Sequence, residues 1–215
     1  EEVNRIVTDH VSSLHLVCTP SGVEFLRREG FQDSVVLVGD PMYDAFCYYT
    51  RQLDGSELAG IVDFQGTPLE VPAKFYYLTC HRQENTDTDE NLRGIFDAME
   101  ALDAPVIYPV HPRNHARAEP LCSQRAYRNL LLTQPMGYQT SISLVNRAEK
   151  IVTDSGGVQR EAFFAKKPCV TVLDYVGWPE TMVNGYNQLA RPEKADILEK
   201  LSRPVTFDPA YQPFG

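Results

Sequence analysis

The run Thr153-Asp154-Ser155-Gly156-Gly157-Val158-Gln159-Arg160-Glu161-Ala162 directly follows the apolar stretch Lys150-Ile151-Val152. It reads as a buried strand, a small-residue turn and the first turn of a helix. The first N–H groups of a helix have no intrahelical acceptor, and the helix dipole adds positive charge there, so such a turn can hold an anion. Two glycines permit close backbone approach, and Ser155 can either cap the helix or bind phosphate. Glu161, on the helix that follows, can accept hydrogen bonds from a sugar hydroxyl. A phosphate cradle beside a carboxylate points to a nucleotide or nucleotide-sugar site.

Other strand ends carry further chemistry. His81-Arg82-Gln83-Glu84-Asn85 follows the apolar run 75–80. There an imidazole able to exchange a proton or donate to phosphate stands beside a permanent cation, and Glu84 can orient either one. A solvated loop in which His81 merely caps a helix is the competing reading. Tyr108-Pro109-Val110-His111 ends the next strand, with Arg113 close behind. The His111/His115 spacing is that of a metal pair on one helical face. Pro112, however, disfavours helical geometry at His111, and no third ligand is near, so no metal is expected. The stretch 173–180 holds the only tryptophan, Trp178, between Asp174 and Glu180. It either stacks on a ligand ring or anchors the loop.

These groups need a frame that brings distant loops together. Strand candidates fall at 14–19, 35–39, 75–80, 106–110, 129–132, 150–153 and 169–173, several of them apolar on both faces. Strands sandwiched between helix layers have that composition. Helical patterns fall at 21–29, 89–102, 140–148, 157–165 and 192–201, with Leu92, Ile95, Phe96 and Met99 at helical spacing in the second. Gly185-Tyr186-Asn187 reads as a helix end and a return to the sheet. The alternation predicts an α/β fold with a doubly wound parallel sheet, whose ligands bind at the carboxyl ends of the strands. The 51–72 stretch reads as a connector without chemistry of its own.

Composition narrows the partners. A net charge of −9 without a basic run argues against nucleic acid. Cys18, Cys47, Cys80, Cys122 and Cys169 are scattered with no C-x-x-C pair, which points to a reduced, cytoplasmic protein without disulfides or zinc. No run approaches the roughly 18 apolar residues that span a membrane, and no membrane partner is expected. The chain opens without Met in what resembles the middle of a polar helix and closes on a loop sequence. It reads as a piece of a longer protein.

Taken together, these motifs resemble the UDP-N-acetylglucosamine 2-epimerase family, which has a two-domain GT-B architecture. The family's acidic-acidic-x-Asn-Arg segment is similar to Glu1-Glu2-Val3-Asn4-Arg5, and its Gly-Asn-x-x-x-Asp-Ala linker to Gly39-Asp40-Pro41-Met42-Tyr43-Asp44-Ala45. His-Arg-x-Glu-Asn matches at His81, Arg82, Glu84 and Asn85, Tyr-Pro-Val-His at Tyr108 to His111, and Thr-Asp-Ser-Gly-Gly-x-Gln-x-Glu-Ala at Thr153 to Ala162. The resemblance implies that residues 1–38 are a remnant of the N-terminal Rossmann-like domain. Residues 39–215 would be the UDP-binding C-terminal domain, truncated at its end. It further implies that Ser155, Gly156 and Gly157 hold the diphosphate of UDP and Glu161 its ribose hydroxyls. His81 would lie at the diphosphate and sugar with Arg82 and His111 nearby, and Glu1 would be an acid/base carboxylate.

The family reaction removes the C2 proton, expels UDP and adds it back with C2 inverted, interconverting UDP-N-acetylglucosamine and UDP-N-acetylmannosamine. It requires carboxylates for proton transfer and cations for the departing diphosphate, and no cofactor. The implied partners are a UDP-sugar, the missing N-terminal domain and, in the full-length protein, a second copy in a homodimer. A hydrolysing epimerase, a GT-B glycosyltransferase and a non-catalytic UDP-sugar module are the alternatives. Departures from the pattern are Asp40 and Pro41 in the linker and Arg160 in place of an acid. In the loop 174–180, only the Asp and Pro-Glu remain of Arg-Asp-Thr-Thr-Glu-Arg-Pro-Glu.

Overall fold

Runs apolar on both faces become the strands of a six-stranded parallel sheet in the computed structural model, which describes residues 2–215. The chain forms two compact units: the part up to Cys47 together with Asp208–Gly215, and Tyr48–Phe207.

The first unit contains α1 (Glu2–Val11), β1 (His15–Val17), α2 (Pro20–Arg28) and β2 (Val35–Leu37), and α3 (Pro41–Thr50) carries the chain into the second. Strands β1 and β2 pair in parallel, His15 opposite Val35. Thr19 caps α2 by accepting from the Gly22 N–H at 3.4 Å, and Pro20 occupies the first turn, where its missing N–H costs nothing. His15 is buried, its ring held between Ser34 Oγ and the Asp9 carbonyl, each at 2.9 Å.

The second unit runs β3 (Tyr76–Thr79), α4 (Gln83–Thr86), α5 (Asp89–Glu100), β4 (Val106–Pro109), α6 (His115–Arg125), β5 (Leu130–Thr133) and α7 (Tyr138–Arg147). It continues with β6 (Ile151–Thr153), α8 (Gly156–Phe164), β7 (Cys169–Val172), α9 (Pro179–Met182), β8 (Asn187–Ala190) and α10 (Lys194–Ser202). The strand order is β5-β4-β3-β6-β7-β8, with every pair parallel. This is the doubly wound order of nucleotide-binding α/β domains, in which the direction of winding reverses between the first and fourth strands. Here the reversal falls between β3 and β6, joined at Thr79 opposite Thr153 with their hydroxyls 2.6 Å apart.

The apolar side of α5 (Leu92, Ile95, Phe96, Met99) is fully buried with Leu78, Val106, Tyr108, Val152 and Val170 of the sheet and Ile197 of α10. The doubly wound α/β reading therefore holds. The expected strand list lacked β8, which is reached through a turn at the expected Gly185. The 51–72 connector does more than join elements. Val62 bridges Pro68 and Asp63 bridges Thr133, both antiparallel, so it covers the free edge of β5. Among the described residues no helix is long and apolar enough to cross a membrane.

Candidate functional site

The loops after β3 and β6 diverge at the reversal point, and one buried carboxylate ties them together. Asp154, 1% exposed, accepts from the backbone N–H groups of His81 (2.8 Å) and Arg82 (2.8 Å). It also accepts from Asn85 Nδ2 (3.3 Å) and lies 3.0 Å from His81 Nδ1. Burial alone would raise this carboxyl. The hydrogen bonds from the His81 ring and the Arg82 and His81 N–H groups outweigh it and hold the pKa below the ordinary value. The sequence suggested Glu84 as the group that orients His81 or Arg82. That role falls instead to Asp154, because Glu84 is exposed in the first turn of α4 while Asp154 emerges from the neighbouring strand.

The two histidines make different hydrogen bonds. With Nδ1 of His81 turned to Asp154, its Nε2 is the ring nitrogen left for a ligand. The His111 ring stacks on it, centroids 5.7 Å apart, and its Nδ1 accepts from the Arg113 N–H at 3.3 Å. Only a neutral ring can accept in that way. Desolvation, followed by the nearby His81 and Arg113, lowers the His111 pKa accordingly. His115 does not share a helical face with His111. It opens α6 one 3-10 turn later, with Nε2 at 3.2 Å from the Val110 carbonyl and its ring edge-on to Phe64. Among the described residues no cluster of three His, Cys, Asp or Glu side chains is arranged to hold a metal ion.

Arg82 is held at both ends. Its Nε donates to the Asp154 carbonyl at 2.8 Å, and its guanidinium donates to the Tyr175 hydroxyl and lies 5.6 Å from that ring's centroid. Asn85 is buried and also donates to the Val172 carbonyl at 2.9 Å, linking the β3 loop to the end of β7. Asn114 and Tyr108 both donate to the Cys80 carbonyl, at 2.6 and 3.0 Å, which fixes the His111 loop to the end of β3.

On α8, Ser155 is the cap: its Oγ accepts from the Val158 N–H at 3.4 Å. Of the two roles open to it, capping is realised. Gly156 and Gly157 form the first turn, with their N–H groups at the positive end of the helix. Glu161, further along α8 and 4% exposed, has its pKa pushed up to about 7 by burial, against the opposing pull of the Tyr138 hydroxyl and Arg160. Trp178 meets a protein group: the Arg160 guanidinium sits 4.0 Å from its ring centroid. Glu1, the expected acid/base carboxylate, lies outside the described residues.

The structure thus brings His81, Arg82, His111, Ser155, Gly156, Gly157 and Glu161 to the carboxyl edge of one sheet. Sequence reasoning missed Asp154, Asn85, Asn114 and Tyr138 as the groups that position them. Asp154 and Asn85 lay inside the matched motifs, but their partners come from other strands.

A doubly wound sheet with a capped, glycine-opened helix at its reversal point defines a nucleotide-binding α/β domain of the kind that forms half of a GT-B architecture. The family model described as UDP-N-acetylglucosamine 2-epimerase matches residues 1–215, and the chain belongs to that family. A UDP-N-acetylglucosamine 2-epimerase homolog of Methanococcus maripaludis is 39% identical, over all of this chain and 59% of the relative. A Pseudomonas aeruginosa UDP-2,3-diacetamido-2,3-dideoxy-D-glucuronate 2-epimerase is 35% identical over 93% of this chain and 54% of its own length. Among solved structures, Methanocaldococcus jannaschii UDP-GlcNAc 2-epimerase in complex with UDP-GlcNAc and UDP superposes with a TM-score of 0.84 at 31% identity. That match covers 100% of this chain and 60% of the other. The chain therefore spans less than two thirds of the length of these relatives.

Proposed function

We propose that the protein carrying this chain is a UDP-N-acetylglucosamine 2-epimerase, and that this chain supplies the UDP-binding half of its site. The observation that carries the reading is the Asp154 knot, which sets His81 and Arg82 beside the Ser155-capped end of α8. In this reading the N–H groups of Gly156 and Gly157 hold the diphosphate. Glu161 takes the ribose hydroxyls, and His81 Nε2 and Arg82 face the leaving phosphate with His111 beside them. Elimination of UDP places negative charge on the diphosphate, and fixed donors aimed there stabilise the transition state without reorganising. Glu1 and carboxylates of the first domain would move the C2 proton. The pair β1–β2 would belong to that first domain. Its strands expose Leu16, Val36 and Leu37, as strands covered by further chain would. The whole protein would act as a cytoplasmic homodimer, with its cysteines free.

The test is to incubate the whole protein with UDP-N-acetylglucosamine in heavy water. UDP-N-acetylmannosamine carrying deuterium at C2 is expected. Free N-acetylmannosamine plus UDP would show a hydrolysing enzyme, and transfer to an acceptor without exchange would show a glycosyltransferase. A second reading concerns the sugar. The P. aeruginosa relative, 35% identical, is named for a glucuronate derivative, which makes a UDP-sugar with an added carboxylate the alternative ligand. Comparing turnover of the two UDP-sugars separates them.

A further inference from the structure

Two departures from the family pattern touch each other. Position 160 is acidic in the pattern and Arg160 here, and the residue before Pro179-Glu180 is Arg in the pattern and Trp178 here. One lies on α8 and the other on the loop between β7 and α9, yet the guanidinium stacks over the indole at 4.0 Å. The same ring roofs the α8 turn. A Cβ built on Gly156 would stand 3.2 Å from the indole Nε1 and 3.7 Å from Cδ1. The Arg160 Nε also donates to the Gly156 carbonyl at 3.4 Å, so Gly156, the indole and the guanidinium pack against one another.

We propose that Arg160 and Trp178 are a positioning pair that clasps the β7–α9 loop onto the Gly156 turn and moves the cation of this cradle from the loop to helix α8. The proposal rests on the reading of residues 155–157 as the diphosphate seat. An acid on the helix and an arginine on the loop would join the same two elements by an ion pair. Here a cation over the face of an indole joins them, the strongest of the aromatic pairings for such a cation. The pair also carries one more positive charge than the acid–arginine pair it replaces. Gly156 lets the ring sit this close, since a Cβ there would make it give by a few tenths of an ångström.

Trp178 is the only tryptophan in the chain, so its emission reports the clasp without a ligand. In R160A the emission shifts to the red and becomes more accessible to acrylamide, and R160K recovers part of the change. By titration calorimetry, R160E and W178R each weaken UDP binding about tenfold. The double variant R160E/W178R loses less than either, because acid and arginine again face each other. Unchanged emission in R160A overturns the clasp. Single-variant losses that simply add in the double variant overturn the pairing. Wild-type protein that fails to bind UDP overturns the diphosphate reading alone, and the emission series then decides the clasp by itself.

Discussion

Glu161 is a buried carboxyl that keeps its proton to about pH 7, against an ordinary value of 4.5. Because the folded-state pKa is raised, the unfolded chain releases this proton first as pH rises above 4.5. Stability is fully present below that value and is lost as pH climbs through about 7. The shift corresponds to a loss on the order of 3 kcal/mol. Urea denaturation of wild type and E161Q at about pH 4.5 and about pH 8 should show the loss in wild type only. In the proposed ribose role the same proton would oppose binding, since the carboxylate is the better acceptor. UDP affinity should therefore rise between about pH 6 and about pH 8 and flatten in E161Q; a parallel rise in both would assign the dependence to another group. Asp154 is the reverse case, an acid held ionised by its donors. In D154N an amide N–H₂ replaces an acceptor facing the N–H groups of His81 and Arg82. The expected loss is about 2–4 kcal/mol, read from the denaturation midpoint.

Elements hold these residues in place through contacts that leave little room. A Cβ on Gly94 of α5 would lie 2.0 Å from the Pro192 carbonyl oxygen and 3.0 Å from its carbon, both backbone atoms leading into α10. G94A must push α5 off α10, and a loss of about 2–3 kcal/mol is expected, with an unchanged denaturant slope. A loss below about 0.5 kcal/mol would mean that the helices are not held at this distance. Where structure depends on local pattern, the sequence was readable. The strands betrayed themselves by apolar faces on both sides, and α8 by Ser155 followed by a glycine turn. Where it depends on distant partners, it was not. Helix α6 contains Pro120 and buries only Ala118 and Leu121, so it shows almost no periodicity. The cover over β5 forms by bridges from Val62 and Asp63, which have no strand-like pattern. Asp154 looked like a turn residue because its donors lie 73 and 72 residues earlier in the chain, after β3. The same is true of Trp178, whose partner Arg160 sits on another element.

At the scale of the molecule, the proposed function separates binding from chemistry. The groups proposed to hold UDP (the α8 turn, Glu161, His81, Arg82) all belong to the unit Tyr48–Phe207. Inverting C2 requires proton removal on one face of the sugar and delivery on the other, hence two positioned acid/base groups. Of the carboxylates the family resemblance assigns to that work, only Glu1 falls within this chain, which spans 59% of its Methanococcus maripaludis relative. The 215-residue chain should therefore bind UDP saturably and yet leave the C2 proton of UDP-N-acetylglucosamine unexchanged in heavy water. The whole protein should exchange it, and E161Q in the whole protein should weaken substrate binding (a raised KM) more than it slows kcat, since the proposed ribose contact would be made equally in ground and transition states. Deuterium at C2 after incubation with the chain alone would place both acid/base groups among these residues. The Glu161–His81 end of the site would then have to be reread as catalytic.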